Sequence, residues 1–409
     1  MTAASPAAMT DLRAGLRRAE RRRQVRAFGL VTPLLAFMLA IFVLPIASTL
    51  LFSISSTEMK TALPRTTAAL ANWSGDALPD ETTYAALAAD LAQGYAAKTV
   101  AGIATRLNQE IPGLRSLVMQ TARKAETLPP PYRAAFAAVD PRWEDVATWR
   151  AMKSAAGPLT PRYLLQVLDL EREWDGSIVS VAPDRAVYIT YLTRTFWMSI
   201  VVTLLCVAIG YPLAFYAAHC RPFARRLVLG SVLLPFLVSV LVRTAAWIVV
   251  LQKNGIVNSL LVWLGIVDQP VQLIFDRFGV YVVMVHVLLP FLVLPLYSVM
   301  RTIPALHMRA ASSLGATPLS AFLSVYLPQS LPGLGAGAML VFILSLGYYT
   351  TPALVGGPGD QMLSSLVTEF ALEIGNWGMA SAAATLLLIS TLVSYLTFSR
   401  LFRARGFLP

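Results

Sequence analysis

The side chains best equipped for chemistry are scattered through long apolar stretches, and no reacting set can be assembled from them. The two cysteines, Cys206 and Cys220, fall in or beside one apolar stretch, which leaves neither a disulfide framework nor a cysteine zinc site. The glycine-rich Gly356-Gly357-Pro358-Gly359 lacks the lysine of a nucleotide phosphate loop. No catalytic residue, no metal ligand and no cofactor are therefore assigned to this chain. What stands out instead is Arg243, a charge about seven residues, or roughly 10 Å of helix, inside the end of a hydrophobic run. An ionised group in such a place is costly and marks a functional position by default. It can meet an anionic group, pair with a carbonyl or carboxylate inside the fold, or reach outward to water. Trp247 follows one turn later, and Tyr348, Tyr349 and Trp377 offer further aromatic faces to a cation. Aromatics near the ends of apolar runs also serve as interface anchors. Glu369 and Glu373, a helical turn apart, can attract a polycation or form a solvated face, and His286 reads as packed and hydrogen-bonded.

The elements that must position these residues are set by composition. Of 409 residues, 56% are hydrophobic and only 13% charged, against about one quarter charged in an ordinary soluble domain. A membrane crossing needs about 20 apolar residues as a helix. Six stretches qualify: 28–53, 194–219, 227–250, 278–301, 332–354 and 377–400. The first follows Arg13, Arg17, Arg18, Arg21, Arg22, Arg23 and Arg26, but it is too long for a signal peptide and lacks a small-residue cleavage site, so it reads as a retained anchor. The net charge of +11 does not point to nucleic acid, because the basic residues flank apolar stretches instead of lining a face with interleaved aromatics.

Positive segments are retained on the cytoplasmic side, so the Lys and Arg near the span ends fix an orientation. The N-terminal arginines, Arg221, Arg225, Arg226, Arg301, Arg309, Arg400, Arg403 and Arg405 fall on one side, and only Arg194, Lys253 and Arg277 on the other. Residues 1–27 and the C-terminus are thereby expected in the cytoplasm. Residues 57–190, by contrast, hold 14 basic and 15 acidic residues. Their apolar positions recur with helical spacing at Tyr84, Leu87, Leu91 and Tyr95 and at Val100, Ile103, Leu107 and Ile111, with Pro129–Pro131, Pro158 and Pro161 as breakers. This reads as a soluble, mostly helical periplasmic insertion, long enough to bury its own core, with Trp143, Trp149 and Trp174 in that core. The fold class expected is an all-α polytopic membrane protein: a first crossing, the insertion, and a core over 194–409.

The most specific pattern lies between the fourth and fifth crossings. Pro304 can open a short helix that breaks at Gly315; Thr317 can cap a second, with Pro318 at its first position, ending before Pro328. Ala310 and Ala311 leave one face of the first helix almost without bulk, so that it can enter a groove on another protein.

The order of Ala310, Ala311, Gly315, Val325, Leu327 and Pro328 resembles the cytoplasmic coupling loop, or EAA loop, of ABC importer permeases. Arg309 stands where that motif usually begins with an acidic residue. Pro235-Phe236, Val242–Trp247, Gly255–Asn258, Gly347–Gly357 and Asn376–Ala382 resemble the spermidine/putrescine-type branch. The resemblance covers the first anchor and about 190–405, and leaves the insertion outside. It implies the type I importer permease fold, a second permease subunit, cytoplasmic ABC ATPase subunits that bind ATP-Mg, a periplasmic solute-binding protein and a location in the bacterial inner membrane. Because that branch carries an arginine at the third-span signature while moving cations, it implies a structural role for Arg243. The span interiors hold no Asp or Glu, which keeps open a permease of the same branch for a non-polyamine or anionic solute. A secondary transporter driven by an ion gradient tends to show intramembrane acid relays or interrupted repeated helices, which this sequence lacks. A plain membrane anchor needs fewer crossings.

Overall fold

The structure, a computed structural model, describes residues 23, 28–55, 58–108, 110–157, 160–172 and 177–404. Arg13, Arg17, Arg18, Arg21, Arg22, Arg26, Pro158, Trp174 and Arg405 lie outside the described residues. Contacts divide the chain into two units, with the boundary after Phe52. Among its described residues the first contains the apolar helix α1 (Phe28–Phe52), with no residue of its apolar window buried.

The second unit begins with eight helical segments of the insertion: α2 (Glu58–Ala62), α3 (Pro64–Ala71), α4 (Glu81–Ala96), α5 (Val100–Asn108), α6 (Leu114–Lys124), α7 (Tyr132–Val139), α8 (Val146–Ala156) and α9 (Arg162–Gln166). Asp80 caps α4 by accepting from the Thr83 N–H at 3.1 Å, and hydrogen bonds from the Thr83 and then the Thr82 hydroxyl hold its carboxyl below the usual range. Tyr84, Leu87 and Leu91 are buried as their spacing predicts. Tyr95 is 45% exposed because α4 ends at Ala96 and the chain turns away through Lys98 at φ 59°. At the centre, Trp143 stacks edge-on to Phe136 with ring centroids 5.2 Å apart and lies 5.5 Å from Trp149. The indole N–H of Trp143 donates to Thr121 Oγ1 at 2.9 Å and that of Trp149 to the Trp143 carbonyl at 3.0 Å, so neither ring buries an unmet donor.

The insertion is not entirely helical. Between α9 and the next crossing, β1 (Leu170–Arg172) and β2 (Ile178–Ser180) form an antiparallel pair, Glu171 opposite Val179. Asp169, at φ 55°, then accepts the Tyr188 and Ile189 N–H groups at 3.1 and 2.8 Å, capping the long helix that follows.

That helix is α10 (Tyr188–His219), starting earlier than residue 194. After it come α11 (Pro222–Leu233), α12 (Val240–Leu251), α13 (Ile256–Trp263), α14 (Arg277–Thr302), α15 (Ala305–Ser313), α16 (Pro318–Leu346), α17 (Thr350–Val355), α18 (Leu363–Thr368) and α19 (Trp377–Ala404). Among the described residues six stretches are long and apolar enough to cross a membrane. Besides α10, two differ from the sequence expectation. An unbroken 227–250 span is replaced by α11, a turn at Pro235–Leu237 and a restart at α12, the candidate crossing running Val240–Trp263. Val238 is extended at φ −89°, ψ 143°, so the helix cannot propagate through it. The fifth crossing runs Pro318–Leu346, not 332–354.

The helix expected to stop before Pro328 instead passes through it. A π turn over Phe322–Tyr326 sends the Leu327 N–H back to the Phe322 carbonyl, widening the turn where the proline ring would otherwise clash. The same device precedes Pro45 in α1, where the Leu44 N–H reaches the Leu39 carbonyl. The core of the bundle is α10, α14 and α16, meeting through Met198, Val202, Cys206, Met284, Leu288 and Val341.

Candidate functional site

The bent helix pair begins with Pro304 in extended geometry, and no residue of α15 is buried. Its exit is a Schellman arrangement. The Ala316 N–H reaches the Ala311 carbonyl at 3.1 Å and the Gly315 N–H the Ser312 carbonyl at 3.0 Å. Gly315 sits at φ +89° with nothing within 4 Å of where a Cβ would stand, so glycine is required by the backbone conformation and not by lack of space. Thr317 then accepts from the Ser320 N–H at 3.3 Å, capping the start of α16.

One face of this pair is tied to the bundle. His307 Nδ1 lies 2.7 Å from Gln329 Oε1, and Met308 packs against the cluster of Met300 and Tyr326. The remaining surface is open: Leu314 is 89% exposed, Leu306 69% and Leu319 68%, alongside exposed Arg309 and Ala310. Ala311 is half-buried. The structure thus gathers Arg309, Ala310, Ala311 and Gly315 at one bend. Val325 lies in the π turn of α16, which packs against α15, and Leu327 and Pro328 just beyond that turn, where they shape the helix. Such a surface can transmit displacement from a docked partner to α14 and α16; it holds no reacting set.

A second assembly surrounds Arg243. Arg243 lies in the first turn of α12, 8% exposed, and its Nε and Nη1 have no hydrogen-bond partner among the described residues. Trp247, one turn on, donates from its indole to His286 Nδ1 at 3.0 Å, which makes His286 a hydrogen-bonded packing residue. Trp247 and Tyr348 pack against the same cluster of Leu251, Val283 and Val355. The buried Tyr348 Oη and Thr351 Oγ1 have no partner of good hydrogen-bond geometry among the described residues beyond the approach of one hydroxyl to the other. The cluster offers donors to an acceptor. Tyr349, Glu369, Glu373 and Trp377 are not drawn into it: all four are exposed, Glu369 and Glu373 on a π turn over Glu369–Ile374 and Trp377 at the start of α19.

Three residues were given no role by sequence reading. Thr351 and Asn258 stood only within segments that resemble the polyamine branch. Asp360, after the glycine-rich segment, accepts from Arg277 Nε at 2.9 Å and from the Gly357 N–H at 3.1 Å, so the segment that lacked a phosphate-binding lysine is an internally tied loop. Asn258 is fully buried and staples the following loop, exchanging two hydrogen bonds of 2.9 Å with the Val271 backbone.

Residues 185–404 match the family model of binding-protein-dependent transport system inner membrane components. Over 202 residues the chain is 31% identical to the spermidine/putrescine transport system permease protein PotB of Escherichia coli (strain K12), covering 49% of this chain and 74% of that protein. PotB of Haemophilus influenzae is 34% identical over 187 residues, covering 46% and 65%. The molybdenum transport system permease protein ModB of Mycobacterium bovis is 30% identical over 187 residues, covering 46% and 69%. The family match takes in the bundle from α10 onward with both assemblies described above and begins beyond the helices of the insertion, so the chain belongs to the inner membrane components of binding-protein-dependent transport systems.

Proposed function

We propose that this chain is the permease subunit of an ATP-driven importer that carries a polyamine such as spermidine or putrescine from periplasm to cytoplasm. The similarity to two PotB permeases supports the solute class. The observation that carries the mechanism is the exposed bend at Gly315: α15 buries none of its residues, yet through His307 and Met308 it is fastened to the bundle. A partner seated on Arg309, Ala310 and Ala311 would push directly on α14 and α16. In this reading cytoplasmic ABC ATPase subunits hold ATP-Mg and supply that push, and a second permease subunit completes the path. A periplasmic solute-binding protein delivers the cargo. The arginine excess on the loop side and at both termini supports a cytoplasmic position for them. Arg309, in place of an acidic residue, favours an acidic contact on the ATPase.

One experiment tests side and coupling together. Ser313→Cys, in a background with Cys206 and Cys220 replaced by serine, is expected to react with an impermeant maleimide in inside-out vesicles but not in intact spheroplasts. Bound ATPase should protect it. Gly315→Val should leave insertion intact but lower ATP-driven spermidine uptake about tenfold, because a β-branched residue at positive φ costs about 1–3 kcal/mol. Labelling from outside, or unchanged uptake, would reject the assignment.

A further inference from the structure

Where the insertion meets the bundle, a cavity of about 810 Å³ lies between α8, α9, the β1–β2 hairpin and the start of α10. It lies within the roughly 300–1,000 Å³ range of small-molecule sites. Its lining mixes apolar and polar surface and includes five cations: Arg150, Lys153, Arg162, Arg172 and Arg185. Three carboxylates also line it, and each is engaged. Asp169 accepts the N–H groups of Tyr188 and Ile189, and Glu171 lies 3.8 Å from Arg185. Glu110 is shared: Arg106 Nη1 donates to its Oε1 at 2.7 Å and Arg162 Nη1 to its Oε2.

This sharing is what gives the cavity its character. Two guanidiniums on one carboxylate leave an excess positive charge, and the side chains of Arg106 and Glu110 are only 4% and 6% exposed. Arg162 opens toward the cavity; its burial, and then the neighbouring charge of Arg106, bring its pKa down to about 10. Lys153 adds a charge whose contacts here are neutral. Its ammonium donates to the Trp73 carbonyl and sits 5.8 Å from the centre of the Trp73 ring. The described lining thus carries five cations against three carboxylates, and an excess of one sign in a concave site with low-dielectric walls concentrates counter-ions.

We propose that this cavity binds a small multivalent anion, bearing two or more carboxylate or phosphate groups, through Arg162, Lys153 and Arg172. The walls make such a site consequential. Tyr163 and Val167, flanking the α9 wall, share one buried cluster with Leu363, Met379 and Ala382 of the bundle, so occupancy stiffens the seam between the two. The site is independent of the solute that the bundle carries.

The test uses purified full-length protein in detergent, titrated calorimetrically with citrate, inorganic phosphate or spermidine at constant ionic strength. Citrate should bind saturably and raise the thermal midpoint, phosphate should bind more weakly, and spermidine should not compete. Lys153→Gln and Arg172→Gln, both outside the buried Arg106–Glu110–Arg162 group, should each weaken citrate about tenfold while leaving the helical circular dichroism unchanged. Absence of saturable citrate binding, or equal affinity in wild type and Arg172→Gln, overturns the proposal.

Discussion

The insertion and the outer face of α10 in the bundle are both helical, but they place bulky side chains in opposite directions. In the insertion, Trp143, Trp149, Tyr84 and Phe136 are fully buried, and Arg115 and Arg123 of α6 face out beside buried Leu117 and Val118. On α10 the buried stripe runs Thr195, Ser199, Val202, Cys206, Gly210 and Ala214, while Trp197 is 59% exposed and Leu204 62%. The cause is the solvent each face meets. Water drives apolar area inward in the insertion. Lipid tails give no such drive, so α10 turns a stripe rich in small residues to its neighbours and leaves bulk such as Trp197 and Leu204 outside.

The comparison breaks most visibly at the centre of the insertion. Trp143→Ala removes a fully buried ring between Phe136 and Trp149 and the donor to Thr121, and such truncations cost about 3–5 kcal/mol. In the full-length protein, hydrogen-exchange protection over Tyr84–Leu91 should fall by about two to three orders of magnitude. Loss of less than tenfold would mean that the aromatic cluster does not organise the insertion.

A smaller effect is expected from adding bulk to the bundle. A Cβ on Gly210 would stand 2.6 Å from Leu292 Cδ2 and 3.3 Å from Leu289 Cδ1. Gly210→Leu therefore overpacks the α10–α14 contact, at a cost of about 1–3 kcal/mol. Thermal unfolding in nanodiscs should report a lower midpoint, with exchange in α4 and α6 unchanged. A higher midpoint would show that α10 and α14 are less close than the structure places them.

The same asymmetry decides what the sequence made legible. Helical spacing located the insertion's helices, because Leu87, Leu91, Ile103 and Leu107 follow water's rule. The crossings were legible by length, yet their boundaries were not. Pro235 halts a helix and Pro328 does not, and the difference is the extended Val238 in one case and the π turn over Phe322–Tyr326 in the other, neither of which hydropathy encodes. Gly315 was readable because a single positive-φ position interrupts a helix in a distinctive way. The Glu110 pairing joins residues 52 positions apart, Glu110 and Arg162, and leaves no local periodicity. Arg243 was visible as a charge, but its proximity to the Tyr348 cluster depends on α12 packing near α14 and α17, a tertiary fact.

The smallest effect sharpens the comparison furthest. Leu204 and Leu87 are the same residue in the same kind of helix, the first 62% exposed and the second 1%. Truncating Leu87 to alanine removes apolar area that water would otherwise wet and leaves a cavity, a loss of about 2–5 kcal/mol. Truncating Leu204 exchanges one apolar environment for another, since its outer face meets hydrocarbon in both the wild type and the variant. Alanine also favours the helix at least as well as leucine. Leu204→Ala is therefore expected to shift stability in nanodiscs by less than about 0.5 kcal/mol, the range of a substitution that touches nothing specific. A loss near the Leu87 value would show that Leu204 is covered by protein in the assembled complex, and that face of α10 would then be an interface instead of a lipid boundary.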